Sequence, residues 1–196
     1  MAEETLETVR QVLMQPVKEN CRPAPQVTFI ALESVPRTDL MAHMRDPRIA
    51  RHLPLLRAQW DDAVLTRFLS DKAAAWARDG LGHWAIMIDG AYAGWGGFQK
   101  EGPDWDYGLV LRAEFFSLGM VITRAACAWL VHNTSIRDAS VLLPLSRSPR
   151  ALARIGARRA GEADYDGIRF ARWALPVQEL ANAARILATF RGKTEC

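Results

Sequence analysis

Cysteine is scarce: Cys21, Cys127 and Cys196 are few, scattered and odd in number, so neither a disulfide framework nor a thiolate metal cluster is expected. Long apolar runs are also missing. The longest, Ala125 to Val131, has seven residues, against the ~20 that cross a bilayer. Charge of one sign is not in excess either: 25 Lys and Arg face 22 Asp and Glu, a net +3, too small to point to nucleic acid as the main partner. Met1-Ala2-Glu3-Glu4 has neither the basic start nor the apolar stretch of a secretory leader. These absences predict reduced thiols, no membrane span and a cytoplasmic protein. What is present is ordinary for a globular chain: 49% apolar and 24% charged residues over 196 positions, enough for one domain with terminal additions.

Residues 1–25 read as an N-terminal extension, with a short amphipathic helix over Glu3 to Val17 ended by Pro16, Pro23 and Pro25. A regular body follows over 26–176, and 177–196 form a C-terminal helix and tail. Val27 to Leu32 has strand composition, and Pro36 with Thr38 to Met44 reads as a helix. A longer helix spans Asp61 to Arg78, with Val64, Phe68, Leu69, Ala73 and Trp76 on its inner face, acidic residues at its start and Gly80 at its end. His83 to Ile88 and Ala91 to Phe98 flank Asp89-Gly90, a hairpin signature because both central residues of a type I′ turn need positive φ. After a Gly102-Pro103-Asp104 loop come a strand (Trp105 to Arg112), a helix (Gly119 to His132), a strand (Ala139 to Leu143), a helix (Pro149 to Ile155) and a hairpin turning at Asp166-Gly167. The pattern is α+β without internal repeats.

The segment with most chemical content is Trp105-Asp106-Tyr107-Gly108-Leu109-Val110-Leu111-Arg112-Ala113-Glu114-Phe115-Phe116-Ser117-Leu118-Gly119-Met120. A strand delivering a tight turn onto a helix N-terminus offers backbone N–H groups and a positive dipole to an anion, and it is also plain helix-start geometry. Set in order with Gly94-Trp95-Gly96-Gly97-Phe98 before it, and with Ser148, Arg154-Ile155-Gly156-Ala157 and Asp164 to Phe170 after it, this segment resembles the GNAT N-acetyltransferases over residues 26–175. Within them it is most similar to the ribosomal-protein N-terminal acetyltransferases.

The resemblance implies a single α+β domain with a mixed, mostly antiparallel central sheet, splayed at the cofactor site and flanked by helices. It implies acetyl-CoA as co-substrate and no metal. Pantetheine pairs with the strand edge at Leu109, Val110 and Leu111, the pyrophosphate meets amides of Ser117, Leu118, Gly119, Met120 and Val121, and Arg150 lies near the phosphates. The chain departs from the family pattern at Glu114, where Gln or Arg is usual, at Ser117 in place of a glycine, and at Leu145 in place of an asparagine.

Acetyl transfer to an amine needs an oxyanion donor, a proton acceptor and a group serving the leaving thiolate. A backbone N–H at Val110 is the expected oxyanion donor. Ser148 is the candidate for the thiolate, or a helix N-cap before Pro149. Asp106 is the candidate base or ammonium partner, or a solvated carboxylate beside Asp104. His83 offers a base better matched to neutral pH, or a structural imidazole, and Tyr165 a proton donor, or a hairpin packing residue. Arg147, Arg150, Arg154 and Arg158 read as a basic stripe on one helix. Trp84, Trp95, Trp105 and Trp173 read as core, while Trp60 and Trp76 could line an acceptor cleft whose specificity resides in Arg51 to Arg57 and Glu101 to Asp104.

The expected activity is direct acetyl transfer to a primary amine on a small molecule or on a protein or peptide N-terminus. A homodimer is compatible with this. Two alternatives stay open: a GNAT-like domain without catalysis that binds a partner through the Val177, Leu180, Ala184, Leu187 stripe, and nucleic-acid binding through the arginines.

Overall fold

The computed structural model describes residues 24–50 and 59–191. The expected Glu3 to Val17 helix and the Arg51 to Arg57 segment lie outside the described residues. In chain order the elements are β1 (Val27–Ile30), a 3-10 turn (Leu32–Ser34), α1 (Arg37–Arg45), α2 (Pro47–Ala50), α3 (Asp62–Asp79), β2 (His83–Ile88), β3 (Ala91–Glu101) and β4 (Asp104–Leu111). A second 3-10 turn (Ala113–Leu118) leads into α4 (Gly119–Asn133), followed by β5 (Ser140–Pro144), α5 (Arg150–Arg154), β6 (Arg158–Tyr165), β7 (Ile168–Ala174) and α6 (Val177–Arg191).

The seven strands form one sheet in the order β1-β2-β3-β4-β5-β7-β6. Every neighbouring pair is antiparallel except β4 and β5, which are parallel. Three tight turns build it. Asp89 and Gly90 have φ of 50° and 82°, and Asp166 and Gly167 have 52° and 74°, the two positive values that a type I′ turn demands. The third turn, Gly102-Pro103, joins Glu101 directly to its partner Asp104. It extends β3 beyond Phe98 and turns the expected loop into a strand end carrying two carboxylates.

The Gly-Trp-Gly-Gly run is explained by how closely β3 approaches β4. A Cβ at Gly94 would stand 2.3 Å from the Val110 carbonyl oxygen, and one at Gly96 would stand 2.3 Å from that of Gly108. No side chain fits there.

One face of the sheet is covered by α1 and α3, where Leu40, Met44, Trp60 and Leu65 pack on Ala85, Tyr92, Trp95 and Val110. The other is covered by α4 and α6, where Ala126, Cys127, Leu130, Val177, Leu180 and Ala181 pack against Trp84, Phe98 and Tyr107. Fully burying a side chain such as Phe98 or Leu130 contributes about 1.5–3 kcal/mol. The helical run Ala113–Asn133 is long and apolar enough, with a hydropathy of 1.4, to cross a membrane by length and composition. One face of it, with Ile122, Ala126, Cys127 and Leu130, is buried against the sheet.

Three expectations are corrected on α3. Gly80 ends it at φ 69° as expected, while Asp61, expected as its first residue, is its N-cap, its Oδ1 accepting the Val64 N–H at 2.8 Å. Its inner stripe, however, runs through Leu65, Phe68, Leu69, Lys72, Ala75 and Trp76, leaving Ala73 in solvent. Trp60 is 6% exposed, edge-on to Phe68, and the Trp76 Nε1–H donates to the His83 carbonyl at 2.9 Å. Trp60 is therefore core rather than cleft lining, and Trp76 is half-buried with its ring nitrogen committed to the β2 backbone.

Candidate functional site

The sheet opens between β4 and β5. These two strands share one register pair, Asp106 with Ser140, after which they diverge toward their C-terminal ends. Which β4 groups face the opening follows from the β3 pairing. The Arg112 N–H donates to the Ala93 carbonyl at 2.9 Å, and the register continues without a shift from Gly94 opposite Leu111 to Glu101 opposite Asp104. Hydrogen-bonded and non-bonded pairs alternate in an antiparallel ladder. Gly108 and Val110 thus bond to β3, while the N–H and C=O of Tyr107, Leu109 and Leu111 point toward β5. This corrects the expected oxyanion donor: the Val110 N–H is committed to the ladder, and the gap-facing N–H groups on either side of it belong to Leu109 and Leu111.

Where a tight Ser-Gly turn was expected, the 3-10 turn Ala113–Leu118 runs straight into α4. The Gly119 N–H donates to the Phe116 carbonyl, and Gly119 has a helical φ of −51°. Of the expected cradle, Gly119 and Met120 begin α4, Val121 is 37% exposed, and Ser117 and Leu118 belong to the 3-10 turn. Space is what Gly119 supplies: a Cβ there would rest 3.8 Å from Leu109 Cδ2 and 3.9 Å from Leu111 Cδ1, beside the open strand edge. Glu114 turns to two cations, with Oε1 3.1 Å from Arg48 Nη2 and Oε2 3.7 Å from Arg112 Nε. Its own backbone N–H first, and then Arg48 and Arg112, hold its carboxyl below the usual range. An acidic residue at this position is therefore compatible with an anion nearby. An open strand edge, a methyl-sized hollow at Gly119 and a neutralised Glu114 fit a thin, phosphate-bearing group such as CoA.

At the apex of the opening, one Asp106 carboxylate oxygen is buried without a hydrogen-bond partner. Burial first, and the Glu101 carboxylate second, push this carboxyl up to about 7, against the opposing pull of Arg172 and the Leu142 N–H. Arg172 Nη1 donates to Ser140 Oγ at 3.1 Å and lies 3.4 Å from Asp104 Oδ2, bridging β7, β5 and β4 around Asp106. His83 is 8% exposed. It stands in register with Gly97, which stands opposite Gly108, and the absent side chains bring its Nε2 to 3.3 Å from where a Cβ at Gly108 would sit. Burial, and then the Lys72 ammonium, hold His83 well below its ordinary range. The expected order of the two bases is reversed: Asp106 is matched to neutral pH, and His83 is a neutral, weakly basic imidazole.

The remaining candidates lie elsewhere. Ser148 is exposed on the segment after β5, and its Oγ accepts only a long 3.5 Å contact from the Arg150 N–H. Arg150 opens α5, which is five residues long. Arg158 begins β6, so the four arginines do not form one helical stripe. Tyr165 ends β6 and packs edge-on to Phe170, with ring centroids 5.8 Å apart. Among the described residues no hydrogen bond joins Ser148, Arg150 or Tyr165 to β4. Residues that the sequence reading passed over are Lys72, Gln99, Arg172 and Arg48. Lys72 left a signal, as a charge seven residues from Leu65 in mid-helix, whereas the contacts of Arg48 with Glu114 and of Arg172 with Ser140 and Asp104 join residues remote in sequence. Among the described residues no group of three His, Cys, Asp or Glu could hold a metal ion.

No protein-family model matches the sequence, and no curated protein is similar to it. Solved structures are similar. An acetyltransferase from Agrobacterium tumefaciens aligns with a TM-score of 0.61 and 18% identity, over 78% of this chain and 91% of that one. A GNAT-family acetyltransferase from Bacillus anthracis gives 0.60 and 14%, over 80% and 98%. A spermidine N-acetyltransferase chimera from Vibrio cholerae and hSSAT gives 0.56 and 10%, over 79% and 98%. At these identities the likeness establishes the fold, that of GNAT acetyltransferases.

Proposed function

We propose that the protein is an acetyl-CoA-dependent N-acetyltransferase that moves an acetyl group directly to a primary amine. The observation that carries this reading is the opening beyond Asp106 and Ser140, with the N–H and C=O of Leu109 and Leu111 turned into it. Acetyl-CoA, when bound, supplies an activated thioester carbonyl. The Leu109 and Leu111 edge holds the pantetheine arm, and one of its N–H groups is the donor to the carbonyl oxygen, a contribution that preorganised backbone donors make in other acyl transfers. The hollow at Gly119 and the start of α4 receive the phosphate end, with Arg150 as a further cation.

Asp106 holds the acceptor ammonium and takes its proton. An α-amine at about 7.7–8.0 lies close to it, while an alkylamine near ~10 requires proton transfer through water to solvent. The exposed Ser148 hydroxyl serves the leaving sulfur.

A binding module using the C-terminal helix is less well supported, because Val177, Leu180 and Ala181 of that helix are buried in the protein's own core. The test is release of free CoA thiol with a panel of peptides and small amines. Acceptor-dependent thiol release supports the reading, and none with any amine, despite bound acetyl-CoA, contradicts it.

A further inference from the structure

A charged side chain occupies the inner stripe of α3. Lys72 lies between Phe68 and Leu69 on one turn and Ala75 and Trp76 on the next. Its ammonium is 5.6 Å from the Phe68 ring centroid and 5.5 Å from that of Trp95, and it donates to Gln99 Oε1 at 2.7 Å. The Gln99 Nε2–H donates in turn to Glu101 Oε1 at 3.1 Å. The two bonds fix the amide, since its oxygen must meet the ammonium and its NH₂ the carboxylate. Gln99 is the register partner of Asp106, and Glu101, two residues on, shares its face of the sheet. The relay therefore ends at the carboxylate that bears on Asp106.

Burying an ammonium is costly unless it is paired, and burial brings Lys72 down to about 8. An apolar residue would fill this stripe without that cost, so packing alone does not account for a lysine here.

Resting on the assignment of Asp106 as proton acceptor, we propose that Lys72 is a positioning residue which, through Gln99, fixes the Glu101 carboxylate beside Asp106 and so sets the charge state in which Asp106 meets the acceptor. The other groups around Asp106 are accounted for. Asp104 on the same strand is paired with Arg172 of β7, the Leu142 N–H of β5 and Arg172 favour the carboxylate, and His83 of β2 is uncharged.

The sign of one substitution separates this relay from simple charge proximity. Removing a nearby cation ordinarily raises a carboxyl. In Lys72→Met the relay instead frees Glu101 to turn to solvent, and the Asp106 midpoint falls. The measurement is the carboxyl-carbon NMR titration of the free protein. Lys72→Met and Glu101→Gln should each lower the Asp106 midpoint by roughly half a pH unit or more. The double variant should go no further than Glu101→Gln, and Lys72→Arg, which keeps a donor, should restore most of the wild-type value.

An unchanged or raised midpoint in Lys72→Met, or additive shifts, overturns the proposal. Gln99→Leu cuts the same chain from its middle and carries the same expectation if Lys72→Met fails to fold. The readout needs no turnover, so midpoints that move as expected without acetyl transfer would overturn the enzymatic reading and leave the relay standing.

Discussion

Among the described residues, Asp106 and Ser140 are the one register pair between β4 and β5, and the sheet opens immediately beyond them. A carboxylate with a buried, unpartnered oxygen thus stands where a ligand entering the opening would end. Replacing Asp106 by Asn should lower kcat/KM by about 10²- to 10⁴-fold. In wild type, the acidic limb of the kcat/KM profile should fall near pH 7, where this carboxyl titrates.

The same shift fixes a stability prediction. Asp106 is raised in the folded protein, so the folded state binds more protons than the unfolded state between pH 4 and 7. Its contribution to stability is therefore lost as pH rises through that window. Asp106→Asn should be relatively more stable than wild type at pH 8 than at pH 4, with a difference in melting temperature of a few degrees, roughly 2–4 °C per kcal/mol. An Asn variant with the same relative stability at both pH values would contradict the assigned shift.

Glu114 is held by Arg48 and Arg112 on the surface. Glu114→Gln should change stability by less than about 1 kcal/mol. It removes a negative charge beside the start of α4 and releases Arg112, while Arg48 stays paired with Asp46 at 2.6 Å, so calorimetry at low salt should show acetyl-CoA binding several-fold tighter, with the gain shrinking as salt screens it. Weaker binding would place the phosphates away from these arginines.

Gly96 allows β3 to lie against the Gly108 carbonyl. Gly96→Ala puts a methyl group 2.3 Å from that oxygen, so a loss of several kcal/mol or failure to fold is expected, measured by denaturant titration. A variant within 1 kcal/mol of wild type, roughly the scale of an ordinary surface change, would contradict the close approach.

Local chemistry was legible in the sequence. Asp89-Gly90 and Asp166-Gly167 carry their turn type in their residues, and Asp61 and Gly80 mark the ends of α3. Gly102-Pro103 was read as a loop because a proline beside a glycine marks a break without saying how tight it is. Parity decided the rest. Whether Val110 or its neighbours face the opening depends on which pairs bond to β3, a one-residue matter that composition does not record. Lys72 was missed because Ala73 beside it satisfied an apolar count, and Glu114 raised an objection that Arg112 and, from 66 residues away, Arg48 remove.

The most direct test of the account is isothermal titration of acetyl-CoA and CoA into wild type and into Gly119→Ala and Gly119→Trp. Gly119 is helical, and a Cβ there meets only ordinary contacts with Leu109 and Leu111. The account predicts micromolar or tighter binding to wild type, near-wild-type melting for Gly119→Ala with a stability change within about 1 kcal/mol, and at least about tenfold weaker binding when the larger indole fills the hollow, a change of ~1.4 kcal/mol. No binding to wild type, or full affinity in a folded Gly119→Trp, would contradict it.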